Sequence, residues 1–523
     1  MPPLTAVPAS FALSGRVVCM DDARTVLAQG VVYVKDGAIA TVQDAAKPAP
    51  AGLEQVKPVA TGGTIFPGLI ELHNHISYNA LQLWNVPKKF NNRDEWSQKE
   101  PQYQQLVAKP MRVLGGRSEL LPAIARYVEA KSLIAGVTTT QGLRLISSAK
   151  IVGYYKGCIR NVEEPHDPTL PAAGSHIPDV THGKDWTKFF NALKAHACVL
   201  LHLSEGDPAS ARQHFLDLQG PDDQWAITPA LAAIHCVGLE AQDFHTLKQH
   251  GASLVWSPLS NLLLYGETAK VAAAKQQDIT VALGSDWSPS GSKNLLGELK
   301  VARLWSAHHG DLLDDRTLVE MATRNAARVL TWDQKVGSLE PGKYADLMVV
   351  RGASGDPYGR LIDANETDVR LVLVGGVPRF GVPSLMKQLA PSGESVKIGG
   401  STRTLYFGQD LVDPRVASTS LAEATAALTA ALHDLPNLAN APPKTHALLR
   451  TMGQDPEWRL ALDELADEPP PRLERGVTAA PLPLIPLQLD ALATVNDAHF
   501  HKTMKVQKNL PPYLATGLLA YYA

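Results

Sequence analysis

The sequence predicts an α/β protein built on a (β/α)8 barrel, with a small β domain split across it and a C-terminal extension. Three observations predict it. Short, nearly continuous apolar runs alternate with helical patterns from residue 67 to 335, the pattern of parallel strands covered on both faces. About eight such units fit that stretch, the number that closes a barrel. Segments of β texture flank it on either side.

Residues 1–66 are expected to form the first part of the β domain. SGRVVCMDD, GVVYVKDGAIATV and TGGTIFPG are short β-branched runs broken by Gly and Asp turns. Within 67–335, strands are expected at 135–143, 156–162, 196–206, 230–239, 252–261 and 279–288. Helical patterns such as SELLPAIARYVEAKSLIA and LEAQDFHTLKQHG lie between them. Residues 336–385 return to β texture in VGSLEPGKYADLMVVRG and VRLVLVGGVPRFG, which predicts a second part of the same domain. The extension, 386–523, has two helix candidates, STSLAEATAALTAALHDL and PEWRLALDELADE, joined by Pro-rich connectors. Connectors of that kind predict extended segments wrapping the body or a loosely attached tail.

Composition narrows the function. The chain has 523 residues, 45% of them hydrophobic and 19% charged, enough for a sizeable core in more than one unit. A formal net charge of -3 offers no basic field for nucleic acid or for a membrane surface. No signal peptide or apolar span is read, and a cytoplasmic location is expected. Cys19, Cys158, Cys198 and Cys236 form no CxxC pair and sit in apolar surroundings, which predicts buried free thiols.

The chemistry gathers at the ends of the predicted strands. In TIFPGLIELHNHISYN, His73 and His75 stand two apart, on one face of a strand end. His202, His235 and Asp286 close three further strands, and Glu205 lies three residues past His202. A lone His on a core strand is usually a satisfied core residue. Barrel strand ends, however, converge on one mouth, where several imidazoles and a carboxylate make a shell for Zn²⁺ or another borderline divalent ion.

PGLIELHNH, HLSEG, HCVGL, SPLSN, GSDW and ATRNAARVL…VGSLEPGKYADLMVV, in that order, resemble the amidohydrolase superfamily, and within it the cytosine/guanine deaminase and triazine chlorohydrolase branch. The resemblance covers about residues 10–385. It implies a metal-dependent (β/α)8 TIM barrel with a split β-sandwich. It implies metal ligation by His73, His75, His202 and Asp286, with Asp286 also a general base, Glu205 a proton shuttle, and His235 a group that polarises water or substrate. Zn²⁺ is the expected ion, Fe²⁺ or another divalent metal the alternative, and one ion per chain is favoured. The expected reaction is hydrolysis of a non-peptide C–N bond in a small heterocyclic molecule. The alternative is a binuclear amide or lactam hydrolase, whose bridge would come from Lys156, Glu163 or Glu164 near the expected fourth strand. A metal-free scaffold is the non-enzymatic reading. A homo-oligomer is expected from the resemblance alone.

Departures from the branch leave the substrate open. After the eighth strand stands GSDWSPSGSKNLLGELK, where Trp287 is expected to floor the pocket and Ser290, Ser292 and Asn294 to meet substrate. The loop 78–96 carries Trp84, Phe90, Arg93 and Trp96 and is expected to cap the site. Residues 163–183 read as a long loop, with His166, His176 and His182 at the surface. His499 and His501 repeat the HxH spacing without a strand, and His308 and His309 are adjacent in a helical pattern, so neither pair is expected to hold metal.

Overall fold

A computed structural model of the chain describes residues 4, 6–181, 183–408, 413, 416, 418–441, 457–462 and 483–523. His182 lies outside the described residues, as do 442–444, 468–476 and 480–482 of the Pro-rich connectors. Among the described residues no helix is long and apolar enough to cross a membrane.

The chain opens with four strands, β1 (Ser10–Val18), β2 (Val26–Lys35), β3 (Ala38–Asp44) and β4 (Pro58–Pro67). At Pro67 the apolar run that began with Ile65 divides. β4 stays with the early strands, and β5 (Leu69–Glu71) opens a new series.

That series is parallel. β5 pairs with β6 (Val137–Thr140). A small excursion then forms β7 (Arg144–Ser147) and β8 (Val152–Tyr154), an antiparallel pair. β9 (Arg160–Asn161) returns to pair with β6. β10 (Gly174–His176), β11 (Val199–Leu203), β12 (Leu231–His235), β13 (Ser253–Trp256) and β14 (Val281–Leu283) form a five-stranded parallel sheet in sequence order. Backbone hydrogen bonds join the two parallel sheets at both edges. The N–H of Ala173 donates to Val162 O at 2.8 Å, beside β9 and β10. At the other edge the N–H of Asp286 donates to His73 O at 2.9 Å and that of His75 to Asp286 O at 2.6 Å. β5, β6, β11, β12, β13 and β14 are buried along nearly all their length, and helices such as Leu121–Ile134, Ala241–Gln249 and Leu295–His308 pack the series.

β15 (Leu347–Arg351), β16 (Val369–Val374), β17 (Val377–Gly381), β18 (Glu394–Ile398) and β19 (Ser401–Leu405) follow. β15 pairs antiparallel with β4, so early and late strands share one nine-stranded sheet, ordered β18-β19-β17-β16-β15-β4-β1-β2-β3. Leu13, Val32, Ile65, Val349, Leu371 and Leu373 form its core on one face. The join follows from the alternation of apolar residues on strands 280 residues apart, which can be buried only against one another.

Three expectations are corrected. Residues 163–183 are not all loop: they contain β10, whose His176 lines a cavity at the strand ends. Counted along the parallel series, the fourth strand is therefore β10, and Lys156 lies on no strand. Finally, the described part of the extension's second helix candidate, 457–462, contains the strand β20 (Trp458–Leu460), which pairs antiparallel with β7; 456 and 463–468 lie outside the described residues. The first candidate does form a helix, Leu421–His433, with a capping box between Ser420 and Glu423.

Candidate metal centre

Each residue of the cluster is placed by the end of a parallel strand. β5 runs out into His73 and His75, whose backbone bonds to Asp286 while Leu72 bonds to Leu283. β11 carries His202 as its fourth residue, and the chain turns at Ser204 to present Glu205. His235 is the last residue of β12, and Asp286 stands three residues beyond β14. The turns are strained: Ser204, His235 and Asp286 hold φ of 51°, 66° and 67°. Left-handed backbone at non-glycine residues is uncommon and concentrates where side chains are aimed at a site. Two glycines make room. A side chain at Gly284 would collide with His73, and one at Gly206 with the backbone of Asn91 and Asn92.

The side chains converge. His75 Nε2 lies 3.2 Å from His202 Nε2. Asp286 Oδ1 lies 3.1 Å from His73 Nε2 and 3.6 Å from His75 Nε2. Ligand atoms of His73, His75 and His202 fall within 4.8 Å of one another, as do those of His73, His235 and Asp286 and those of His202, Glu205 and His235. All are buried except His75, which is partly exposed.

Burial, and then the neighbouring rings of His73 and His75, hold the His202 pKa well below the usual imidazole range. Burial and His73 do the same to His235. Neutral imidazoles are the metal-binding form. Burial alone would raise the Asp286 carboxyl, but His73, His235 and His75 outweigh it and hold its pKa below the ordinary value. Both ring nitrogens of His73 are buried; Nε2 faces the Asp286 carboxylate, and Nδ1 has no hydrogen-bond partner among the described residues. A buried imidazole facing a carboxylate and the rings of His75, His202 and His235 fits a divalent cation.

A second layer holds the first in place. Ser260 Oγ donates to Asp286 Oδ2 at 2.5 Å. Asn261 Nδ2 stands 2.8 Å from His235 Nδ1, and Asn261 Oδ1 accepts from Thr268 Oγ1 at 3.2 Å. That second bond orients the amide, so Asn261 donates to Nδ1 and the proton of His235 sits on Nε2. Nε2 lies 3.7 Å from Glu205 Oε2. Tyr265 OH donates to Glu205 Oε1 at 2.7 Å and accepts from Trp96 Nε1 at 2.9 Å. Ser260, Asn261 and Tyr265 share one helix, Pro258–Tyr265, directly after β13. Their signal in the sequence is SPLSN, where two polar residues interrupt an otherwise apolar helix. Beneath the site, Glu71 accepts from Asn74 Nδ2 at 2.8 Å and from the N–H of Ser285 at 3.2 Å.

The expected substrate residues are spread more widely. Trp287 is 5.4 Å, centroid to centroid, from His75 and donates through Nε1 to Ser290 Oγ at 2.6 Å. Trp84 is buried a layer further out, against Phe90 and Tyr103. Asn294 caps the helix Leu295–His308 and donates to Glu366 Oε1 at 2.8 Å. The cavity at the cluster is lined by His75, His202, Gln141, Glu163, Ser175 and His176, among others, and by Ala461 of the extension. Glu163 accepts there from Gly142 N–H and from Ser175 Oγ. Among the described residues, no cluster of three or more His, Cys, Asp or Glu ligand atoms includes Glu163 or Glu164. His499 sits on the helix Ala498–Val506 facing Leu83 O at 2.8 Å, and His308 stacks on Tyr513, so neither pair joins the site.

Comparison with known proteins gives a consistent picture. The amidohydrolase family model matches residues 204–379. A 5-methylthioadenosine/S-adenosylhomocysteine deaminase of Teredinibacter turnerae is 34% identical over 167 residues, 30% of this chain and 38% of that protein. The protein of the same name from Halobacterium salinarum is 27% identical over 355 residues, 61% of this chain and 80% of that protein. The crystal structure of an adenosine deaminase from Xanthomonas campestris with bound zinc superposes with a TM-score of 0.55 at 20% identity, over 72% of this chain and 93% of that one.

Proposed function

We propose that the chain is a metal-dependent hydrolase of the amidohydrolase superfamily that opens a non-peptide C–N bond of a small heterocycle and releases ammonia or an amine. The two parallel sheets, bonded at both edges, are read as one (β/α)8 barrel over 67–335. The nine-stranded sheet is read as the split β domain, contributed mainly by 1–66 and 336–385, with 386–523 as an extension. One observation carries the functional reading: the ligand atoms of His73, His75 and His202 lie within 4.8 Å of one another, and Asp286 Oδ1 lies 3.1 Å from His73 Nε2 and 3.6 Å from His75 Nε2, beside Glu205 and His235.

His73, His75, His202 and Asp286 would hold one divalent ion, zinc by the chemistry of a three-imidazole, one-carboxylate set. Such an ion lowers the pKa of water towards neutrality. The remaining work falls to the chain's own groups. Asp286, kept ionised by its histidines and fixed by Ser260, accepts the proton of the attacking water. His235 presents its Nε2–H to the oxygen that gains charge. Glu205, oriented by Tyr265, hands a proton to the ring nitrogen or the departing amine. A second ion bridged by lysine has less support, because the fourth parallel strand ends in His176.

The relatives named above act as deaminases of purine nucleosides by their names, which makes an amino-substituted purine or related ring the first substrate class to try. The test is metal per chain on protein purified without chelator, together with ammonia release from purines, pyrimidines, triazines and pterins. About one ion and ammonia from one class is the expected result. His202→Ala that retains its metal would overturn the ligand set.

A further inference from the structure

We infer that β20 and Ala461, supplied by the C-terminal extension, form one wall of the passage to the metal centre and set the size of molecule that reaches it. The inference rests on the metal reading of the site given above.

The extension enters the cavity directly. Ala461 lines the same space as His75 and His202, although nearly 260 residues separate it from His202 along the chain. It is held there by sheet pairing: β20 pairs with β7 through Trp458 and Ser147, Arg459 and Ile146, and Leu460 and Leu145. The ladder continues at both ends. The N–H of Ser148 donates to Glu457 O at 2.7 Å, and that of Ala461 to Arg144 O at 2.9 Å. Arg144 lines the cavity too. Leu460 is buried, and Leu460 and Leu462 pack against Gly115.

A strand so paired and anchored is a fixed part of the mouth. Its short side chain at 461 leaves open a space that a larger residue would fill. Glu163, Ser175 and His176 line the same cavity, so a group entering there meets polar side chains as well as the small apolar residue at 461. Strand-end mouths of this kind take their selectivity from the segments that surround them.

The test reads access rather than turnover. Zinc-loaded full-length protein is mixed with dipicolinate, a small planar chelator, and the second-order rate of zinc release is followed. Ala461→Trp, at a half-buried position, is expected to slow that rate by on the order of tenfold, the change that about 1.4 kcal/mol of added barrier produces. Leu460→Asp, which removes the anchor, is expected to speed it. Equal rates in the wild type and both variants would overturn the inference while leaving the metal site standing. A chain that holds no zinc to release would instead overturn the metal reading.

Discussion

Tyr265 donates its phenolic proton to Oε1 of Glu205 across 2.7 Å, and it has little freedom to do otherwise, because its oxygen accepts the indole N–H of Trp96. Donor direction is therefore fixed by a third residue. Tyr265 is a positioning group for the proposed proton shuttle, and the aromatic residues of the loop 78–96 reach the chemistry through it.

Tyr265→Phe removes one hydrogen bond to a buried carboxylate, an interaction of about 1.5–3 kcal/mol. Turnover is expected to fall by roughly tenfold to a hundredfold, with metal content unchanged. Glu205→Gln should cost about a hundredfold or more, again without loss of metal. Steady-state rates beside metal analysis check both. A Tyr265→Phe enzyme as fast as the wild type would contradict the positioning role.

Asn294 was a candidate for substrate contact, and the structure uses it to cap the helix Leu295–His308. Asn294→Ala is expected to lower stability by about 1 kcal/mol through the lost cap. Thermal melting should shift while KM stays put. A raised KM with unchanged melting would restore the substrate role.

Asp490 accepts from Lys131 Nζ and Lys293 Nζ at 2.5 Å each, with all three groups buried. Burial pushes the Lys131 pKa down to about 8 in spite of that carboxylate. Asp490→Ala leaves two buried ammonium groups without their shared partner and is expected to cost about 3–5 kcal/mol in urea denaturation. The loss would show that the extension is locked to the body by buried charge.

The four cysteines are free and buried. Burial pushes Cys19, Cys158 and Cys198 up to about 12, and raises Cys236 as well. Folded thiols therefore stay protonated at pH 8 and should not react with a disulfide reagent until the protein is denatured. Above pH 9 the unfolded chain would lose thiol protons that the folded chain keeps. Stability from these groups is thus complete below pH 9 and falls as pH rises beyond it.

The candidate ligands were legible because each is tied to a local pattern: a polar, metal-binding side chain at the end of a short apolar run, as at His202 in CVLLHLSEG and His235 in LAAIHCVGL. Periodicity found the strands that bury long apolar runs. It missed β10, because Gly174–Ser175–His176 is three residues long with no apolar side chain, and only hydrogen bonding to β11 makes it a strand. It misread Trp458–Leu460 for a related reason. WRLALDEL has helical spacing, but pairing with β7 outweighs propensity in Trp458–Leu460.

Sequence by itself determined which residues could bind a metal and which stretches would be buried, since both follow from side-chain chemistry and local spacing. Tertiary structure alone decided what those residues meet. Asn261 fixes the proton of His235 and Tyr265 fixes Glu205 because the helix after β13 lies against the ends of its neighbours. Ala461 reaches the cavity because β20 pairs with β7. Such relationships join residues tens to hundreds of positions apart, and a local pattern carries no record of a partner that only packing brings near.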